Sequence, residues 1–121
     1  MGDILLVDDN PEFREVFIIS LEQAGIKRHV LESTNPIEAL EIFNKNRHKI
    51  QIVLCDFFMP VQNGNELLEM IKTVEPAVFC GIITADDLVL KKKFNSVDKI
   101  FSKENLTECI EYIKHINWKR E

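Results

Sequence analysis

The residues of this chain best suited to chemistry are polar side chains that follow short apolar runs. Asp8 and Asp9 come directly after one run, and Asp56 comes directly after another. Thr84 ends a third run, and Lys103 follows a fourth after one intervening residue. Carboxylates gathered at one place repel one another, and a hard divalent cation such as Mg²⁺ relieves that repulsion. A hydroxyl and an ammonium group beside them suit the oxygens of a phosphoryl group.

Five apolar runs predict the strands that position these side chains. The runs are continuous rather than alternating, which is typical of parallel strands buried on both faces. They are Ile4–Val7, Val30–Leu31, Ile52–Cys55, Val78–Ile83 and Lys99–Phe101. Segments with helical spacing separate them, so the pattern predicts an α/β parallel sheet covered on both faces, with right-handed crossovers.

The helices are predicted from their starts and from their apolar spacing. Asn10 and Pro11 suit the cap and first position of a first helix. Its predicted buried face comprises Phe13, Val16, Phe17, Leu21 and Ala24. The second and third helices are predicted to begin near Pro36 and Asn65, the fourth near Asp86, and the fifth to carry Leu106, Cys109, Ile110 and Ile113. The predicted buried face of the second comprises Ile37, Leu40 and Phe43.

Strand order decides whether the acidic residues meet. In open parallel sheets, ligands bind beyond the carboxyl ends of the strands, where the winding direction reverses. The order 2-1-3-4-5 is adopted from known doubly wound sheets, because the residues by themselves do not fix it. In that order the first and third strands are neighbours, so Asp8, Asp9 and Asp56 converge.

Composition bounds the possible classes of protein. A chain of 121 residues with 45% hydrophobic content predicts one domain, residues 1–121. Its net charge of -5 argues against direct nucleic-acid binding. No apolar stretch approaches the roughly 20 residues of a membrane span, and no signal peptide is evident, so a cytoplasmic protein is expected. The apolar neighbours of Cys55, Cys80 and Cys109 predict reduced, buried thiols.

Four motifs in order carry a family resemblance along essentially the whole chain. They are Leu-Val-Asp-Asp, Asp-Phe-Phe-Met-Pro-Val-Gln-Asn-Gly, Ile-Ile-Thr-Ala and Phe-Ser-Lys. Each ends or follows a predicted strand. The chain resembles the receiver domains of response regulators in two-component signalling, of the kind called CheY-like. The resemblance implies a flavodoxin-like (βα)5 fold with strand order 2-1-3-4-5.

The resemblance also implies a role for each acidic residue. Asp56 is similar to the phosphoacceptor, which takes a phosphoryl group from a phosphohistidine of a sensor histidine kinase or phosphotransfer protein. Asp9 and Asp56 resemble direct Mg²⁺ ligands, and Asp8 resembles one that acts through metal-bound water. The backbone carbonyl of Phe58 would complete the protein ligands. Such a chain is not an enzyme beyond catalysing its own phosphorylation and dephosphorylation.

Three further residues are implied to act after phosphorylation. Thr84 and Lys103 resemble the residues that contact the phosphoryl oxygens. Phe101 is expected to repack into the space that Thr84 vacates. The fourth helix, fifth strand and fifth helix would then bind an unknown downstream protein. A monomer or a phosphorylation-dependent dimer is expected.

The chain departs from the family pattern in several places. Family members usually carry proline in a cis bond after the lysine, but here Glu104 follows Lys103, so a retained cis bond or a shifted loop is expected. The short stretch from Thr84 to Lys103 predicts a truncated fourth helix. The ring of Phe58 is expected to hinder water and slow loss of the phosphoryl group. Gly64 is expected to adopt a backbone conformation that is costly for other residues.

Two features near the predicted partner surfaces have either a purely structural role or a role in binding. The run Lys91–Lys93 is either a solvated helix face or a contact for an acidic partner. Trp118 is either a lid on the last helix or a binding anchor.

Three alternatives compete with a phosphoacceptor. Haloacid-dehalogenase-type phosphatases use similar residues, but they need a second acid two residues after the nucleophile, where this chain has Phe58. A flavin carrier needs a phosphate-cradling loop where this chain has Asp8 and Asp9. A receiver-like interaction module that is not phosphorylated stays open, because the proline is missing and the fourth helix is altered.

Overall fold

Five strands and five helices alternate along residues 2–116, which are the residues that the computed structural model describes. The strands are β1 (Asp3–Val7), β2 (Val30–Ser33), β3 (Ile50–Cys55), β4 (Phe79–Thr84) and β5 (Lys99–Ser102). The helices are α1 (Pro11–Gln23), α2 (Pro36–Lys45), α3 (Gly64–Val74), α4 (Asp87–Leu90) and α5 (Leu106–His115). The predicted alternation of strand and helix is therefore confirmed.

The strands form one parallel sheet in the order β2-β1-β3-β4-β5, which confirms the predicted fold class. Val7 at the end of β1 lies opposite Cys55 at the end of β3. The amide of Asp56 donates to the carbonyl of Val7 at 3.1 Å, so the pairing continues past the last strand residues. This register brings Asp8 and Asp56 to the same edge of the sheet.

Two apolar clusters, one on each face of the sheet, make the core. One contains side chains of α1 and α5 and the other contains side chains of α2 and α3. Successive residues of β1 alternate between them: Leu6 lies in the first cluster and Val7 in the second. Because both faces are covered, the strands need apolar side chains at every position, which explains the continuous apolar runs.

The predicted buried faces of two helices were partly wrong. Val16 is 52% exposed and Ile37 is 58% exposed. In α1 the buried side chains are Phe17 and Leu21, and Val16 lies about 100° around the helix from Phe17. Ile37 is exposed for the same reason: the residues of α2 that face the sheet include Ala39, which is about 200° away. In α5, Cys109, Ile110 and Ile113 are buried as predicted, and Leu106 is partly buried.

Polar caps fix where the helices begin. The side chain of Asn10 accepts hydrogen bonds from the amides of Glu12 and Phe13, as its position predicted. Helix α3 begins one residue earlier than predicted, after Asn63, whose amide donates to the carboxylate of Glu66 at 2.9 Å. Helix α4 is a single turn capped by Asp86, which confirms the prediction of a truncated helix.

The loop between β3 and α3 corrects one prediction about glycine. Gly64 does not have a positive φ. A Cβ atom there would collide with the carbonyl oxygen of Asp56 and lie 2.9 Å from the sulfur of Cys55, so close approach of the backbone requires glycine. The positive φ of 78° belongs to Val61, a β-branched residue that is 76% exposed. A branched side chain in this region strains the backbone.

The cysteines agree with their sequence environment. Cys55, Cys80 and Cys109 are buried and form no disulfide. Burial raises the pKa of Cys80 and that of Cys109 to about 12, so both thiols stay protonated at neutral pH.

Helix length bears on a possible membrane span. Among residues 2–116, no helix has the length and apolar character needed to cross a membrane. Trp118, which was predicted to cover the last helix or to anchor a partner, lies outside the described residues, so its role stays a prediction.

Val61→Gly is expected to stabilise the protein. The strain of a non-glycine residue in the left-handed region costs about 1–3 kcal/mol, and glycine removes it. Glycine also gives the unfolded chain more conformational freedom, which lowers the stability of the folded protein by about 0.4–1 kcal/mol. Urea unfolding would measure a net gain of about 1 kcal/mol. The matched control is Val16→Gly in α1, which should destabilise the protein, and equal losses in the two variants would contradict the strain at Val61.

Candidate functional site

Three carboxylates meet at the carboxyl edge of the sheet. Asp8 and Asp9 follow β1, and Asp56 follows β3. Each offers a carboxylate oxygen, and these oxygens all lie within 4.8 Å of one another. Asp8 is 1% exposed, whereas Asp9 is exposed to solvent and Asp56 is intermediate. The predicted convergence of the three side chains is therefore observed.

The donor set fits a hard divalent cation. Oδ1 of Asp8 accepts a hydrogen bond from the amide of Asn10 at 2.9 Å, and the partner of buried Oδ2 is the ammonium group of Lys103 at 2.7 Å. A buried carboxylate oxygen without hydrogen bonds is costly unless a positive charge lies beside it. Oxygen ligands of this kind are those that Mg²⁺ prefers. Phe58, whose backbone carbonyl is the further predicted ligand, lies in the loop that follows Asp56.

Lys103 supplies a positive charge at this point. Its Nζ lies 2.7 Å from Oδ2 of Asp8 and donates to Oδ2 of Asp56 at 3.0 Å. Of the two expected alternatives, the cis bond after Lys103 is not the one observed, because residues 2–116 contain no cis peptide. The amide of Lys103 donates to the carbonyl of Thr84 at 2.8 Å, so the backbone stays aligned with β4 just past the end of β5.

Phe13 is a site residue that the sequence-based prediction missed. The Nζ of Lys103 lies over its ring, 4.5 Å from the centroid. This distance is within the range of a cation–π interaction. From its spacing, Phe13 was expected only to be part of the buried face of α1. Its place in the first turn of α1, four residues after Asp9, is the signal that could have identified it.

Arg14 is a second residue that the prediction missed. Its Nη1 donates to the backbone carbonyl of Asp8 at 2.6 Å, and its Nε donates to the carboxylate of Glu32 at 2.9 Å. The side chain therefore ties the end of β1 to β2. This fixes the backbone of Asp8 without using the Asp8 carboxylate.

The ion pairs and the partial burial of the site act on the pKa values in opposite directions. Burial raises the pKa of Asp56, and the hydrogen bond and charge of Lys103 only partly oppose this. Burial lowers the pKa of Lys103, but the hydrogen bonds and charges of Asp8 and Asp56 outweigh it, so the net shift is upward. Lys103 is therefore charged at neutral pH, and the carboxylate of Asp56 has a higher affinity for a proton than an exposed one.

Thr84 lies at the end of β4, buried, where the prediction placed it. Its hydroxyl oxygen accepts a hydrogen bond from the amide of Asp86 at 3.1 Å. This contact uses an oxygen lone pair and leaves the hydroxyl proton for another acceptor. Thr84 therefore keeps a donor at the edge of the sheet that carries the carboxylates.

Phe101 does not lie where its predicted movement requires. It is fully buried in the cluster that contains α1 and α5, and its ring lies 5.5 Å from that of Tyr112. Side chains alternate along a strand, so it is Ile100 that packs on the opposite face, in the cluster with Val89 of α4. The observed position of Phe101 therefore does not favour its predicted repacking, and that movement stays a prediction.

Phe58 follows the acceptor by two residues, and its side chain faces solvent. Its side chain is 55% exposed, and its ring meets the ring of buried Phe57 edge-on at 4.9 Å. Phe57 in turn stacks on Phe94, with ring centroids 5.5 Å apart. The rings of Phe58, Phe57 and Phe94 thus form one continuous row.

The fold and this site agree with comparisons to known proteins. The family model of the response regulator receiver domain matches residues 4–111. A response regulator receiver protein of Anaeromyxobacter sp. (strain Fw109-5) is 33% identical over 70% of this chain. A chemotaxis protein CheY homolog of Campylobacter jejuni is 30% identical over 57% of the chain. The matches span 34% and 52% of the lengths of these two relatives, respectively.

Solved structures give the same result. The response regulator TrrA of Thermotoga maritima, crystallised with Mg²⁺ and BeF, is 26% identical, with a TM-score of 0.82 and coverage of 94% of this chain and 97% of that one. TrrA in complex with the histidine kinase ThkA matches with a TM-score of 0.79 at the same identity and coverage. The doubly wound sheet and its acidic edge define a receiver domain of two-component systems. The chain belongs to the response regulator receiver family.

The contact between Phe13 and Lys103 predicts a coupling that stability measurements can detect. In metal-free buffer, Phe13→Leu should cost about 0.5–1 kcal/mol more in the wild-type chain than in a Lys103→Met background, because only the wild type loses a cation–π interaction. Urea unfolding of the two single variants and the double variant gives the coupling. The control is Phe43→Leu, on the other face of the sheet, which should show none. Additive effects of Phe13→Leu and Lys103→Met would refute the contact.

Proposed function

We propose that this receiver domain accepts a phosphoryl group on Asp56 from a phosphohistidine. The donor would be a sensor histidine kinase or a phosphotransfer protein. Support comes from family membership and from the kinase complex of TrrA. The observation that carries the proposal is the meeting of three carboxylates with Lys103 at one edge of the sheet.

In the proposed transfer, a carboxylate oxygen of Asp56 attacks the phosphorus atom. A P–O bond forms to Asp56, the P–N bond to the donor imidazole breaks, and the imidazole nitrogen keeps the electron pair. The product is an acyl phosphate. Water later attacks this phosphorus atom, which releases inorganic phosphate and restores the Asp56 carboxylate.

Mg²⁺ is the proposed cofactor, and the acidic edge supports that assignment. Asp9, Asp56 and the backbone carbonyl of Phe58 would hold the ion, with Asp8 acting through water. When bound, the ion would neutralise the negative charge that accumulates as a phosphoryl group approaches a carboxylate. TrrA, the Thermotoga response regulator, was crystallised with Mg²⁺ and BeF.

Lys103 and Thr84 are proposed to bind the phosphoryl oxygens once Asp56 is modified. Modification of Asp56 removes one of the two carboxylates that Lys103 now contacts and offers its ammonium group a phosphoryl oxygen instead. Thr84 has an unused hydroxyl proton to donate. Both contacts exist only in the phosphorylated state, so they favour whichever conformation lets them form.

The chain is proposed to catalyse only its own phosphorylation and dephosphorylation. A phosphatase that acts on other substrates needs a general acid near the nucleophile. At the position where the phosphatases of this chemistry carry that acid, Phe58 offers only a phenyl ring. This argues against turnover of a separate substrate.

The proposal predicts modification by a small-molecule donor. After incubation with acetyl phosphate and Mg²⁺, intact-mass spectrometry should detect one added phosphoryl group, because the site supplies the nucleophile and its electrostatic support. Asp56→Asn should abolish the addition, and the matched control Asp87→Asn, an exposed acid in α4, should retain it. A wild-type protein that gained no mass would favour the unphosphorylated interaction module instead.

The exposed ring of Phe58 predicts a slow loss of the phosphoryl group. Phe58→Asn should shorten the half-life of phosphorylated protein several-fold, because a polar side chain can hold the attacking water that an apolar ring displaces. The decay is followed by intact mass after removal of acetyl phosphate. Met70→Asn replaces another exposed apolar residue, on α3, and should leave the half-life unchanged. If the wild type lost its phosphoryl group as fast as Phe58→Asn, this role for the ring would be wrong.

A further inference from the structure

The short connection between β4 and β5 leaves a cleft beside α4. Helix α4 contains only four residues, and the chain from 91 to 98 has no helix or strand before β5 begins at Lys99. A crossover between parallel strands needs about a dozen residues, so this one has little chain left for a longer helix. We call the resulting depression the lysine cleft; it is bounded by residues 90–100.

The lysine cleft has an apolar part. Four apolar side chains line it: Leu90, Phe94, Val97 and Ile100. All four are partly exposed rather than buried. Phe94 is held in place because it stacks on Phe57. The cleft therefore offers fixed apolar surface that water still reaches.

The same cleft carries two exposed lysines in a chain whose net charge is -5. Lys92 and Lys93 are exposed on its wall, and among the described residues neither forms an ion pair. Lys99 also borders the cleft, but its ammonium group lies over the rings of Phe101 and Tyr112, 5.6 and 5.5 Å from their centroids, and so on the opposite face of the sheet. The carboxylate of Asp98, which also lines the cleft, is bound by Lys72 at 2.8 Å. The positive charges of the cleft are thus not neutralised from within.

We infer that the lysine cleft binds a protein segment that is rich in Asp and Glu and carries a bulky apolar side chain. Acidic side chains complement the lysines, and the apolar side chain covers Phe94 and its neighbours. Nucleic acid is a poorer match, because the apolar part would gain nothing from a phosphate backbone and the acidic remainder of the surface would repel one. Of the two interpretations of the lysine run, a partner contact is therefore the one we favour.

Binding at the lysine cleft specifies which chemistry the partner of the predicted output face would have. The inference rests on the proposed function only in taking this face to be the one that binds a downstream protein. Phe57 follows Asp56 directly and stacks on Phe94, so the acceptor and the cleft share one packed aromatic pair. The cleft is formed in the unmodified chain. Its binding test therefore needs no phosphorylation, and the mass test on Asp56 needs no peptide, so either can fail without the other.

A short fluorescein-labelled peptide in which Asp and Glu flank one Leu and one Phe provides the test. Fluorescence polarisation with the unmodified full chain should give saturable binding that weakens as salt is raised. Lys92→Glu combined with Lys93→Glu should raise the Kd at least about tenfold, a loss of about 1.4 kcal/mol. The milder Lys92→Gln with Lys93→Gln should give a smaller loss in the same direction. Thermal unfolding confirms that each variant is folded.

Matched controls distinguish binding at this cleft from nonspecific attraction between the peptide and positive charges elsewhere on the surface. Lys45→Glu combined with Lys49→Glu makes the same charge change at exposed positions in and after α2 and should leave the Kd nearly unchanged. A peptide with Ser in place of Leu and Phe, and one with Lys in place of every acid, should both bind much more weakly. Absence of saturable binding, an equal loss in the two Glu double variants, or tighter binding of a labelled single-stranded DNA oligonucleotide would overturn the inference.

Discussion

The structure of the site depends on the repulsion among Asp8, Asp9 and Asp56 and on the ammonium group of Lys103 that opposes it. The three acids follow neighbouring parallel strands, so the sheet itself forces their carboxylates together. Asp8 is buried, and the ammonium group of Lys103 lies 2.7 Å from its Oδ2. Without a cation, burial of this carboxylate would be costly. Every proposed step at the site is a rearrangement of these charges.

Noncovalent contacts, rather than a cis peptide bond after it, hold Lys103 in position. No cis peptide is present among residues 2–116. The backbone after β5 is instead joined to Thr84, and the side chain lies between the ring of Phe13 and the two carboxylates. A lysine held by a ring and by charges can exchange one oxygen ligand for another while its backbone stays where it is. This is the property that a phosphoryl-sensing cation needs.

The shortened α4 is the feature that most affects how a partner would be recognised. Its single turn leaves Ile100 and Phe94 partly exposed, and it places the lysine run beside them. Phe57 joins this surface to the acceptor loop through ring stacking. The strand alternation that buries Phe101 against Tyr112 puts Ile100 on the side of α4. Phe57, Phe94 and Ile100 therefore belong to one packed cluster on this side of the sheet.

Local sequence determined the alternation of strands and helices, the capping of α1 by Asn10 and the short α4, because apolar runs, caps and chain length act over a few residues. It also identified the acids, Thr84 and Lys103, since each ends or closely follows a strand. Tertiary structure alone decided that Phe13 lies against Lys103, that Gly64 is needed for close approach to Asp56, and that Phe101 lies on the face away from α4. These three contacts depend on strand alternation and on which elements pack together. Local sequence does not determine them, because distances between residues far apart in the chain are fixed only when the sheet and its helices assemble.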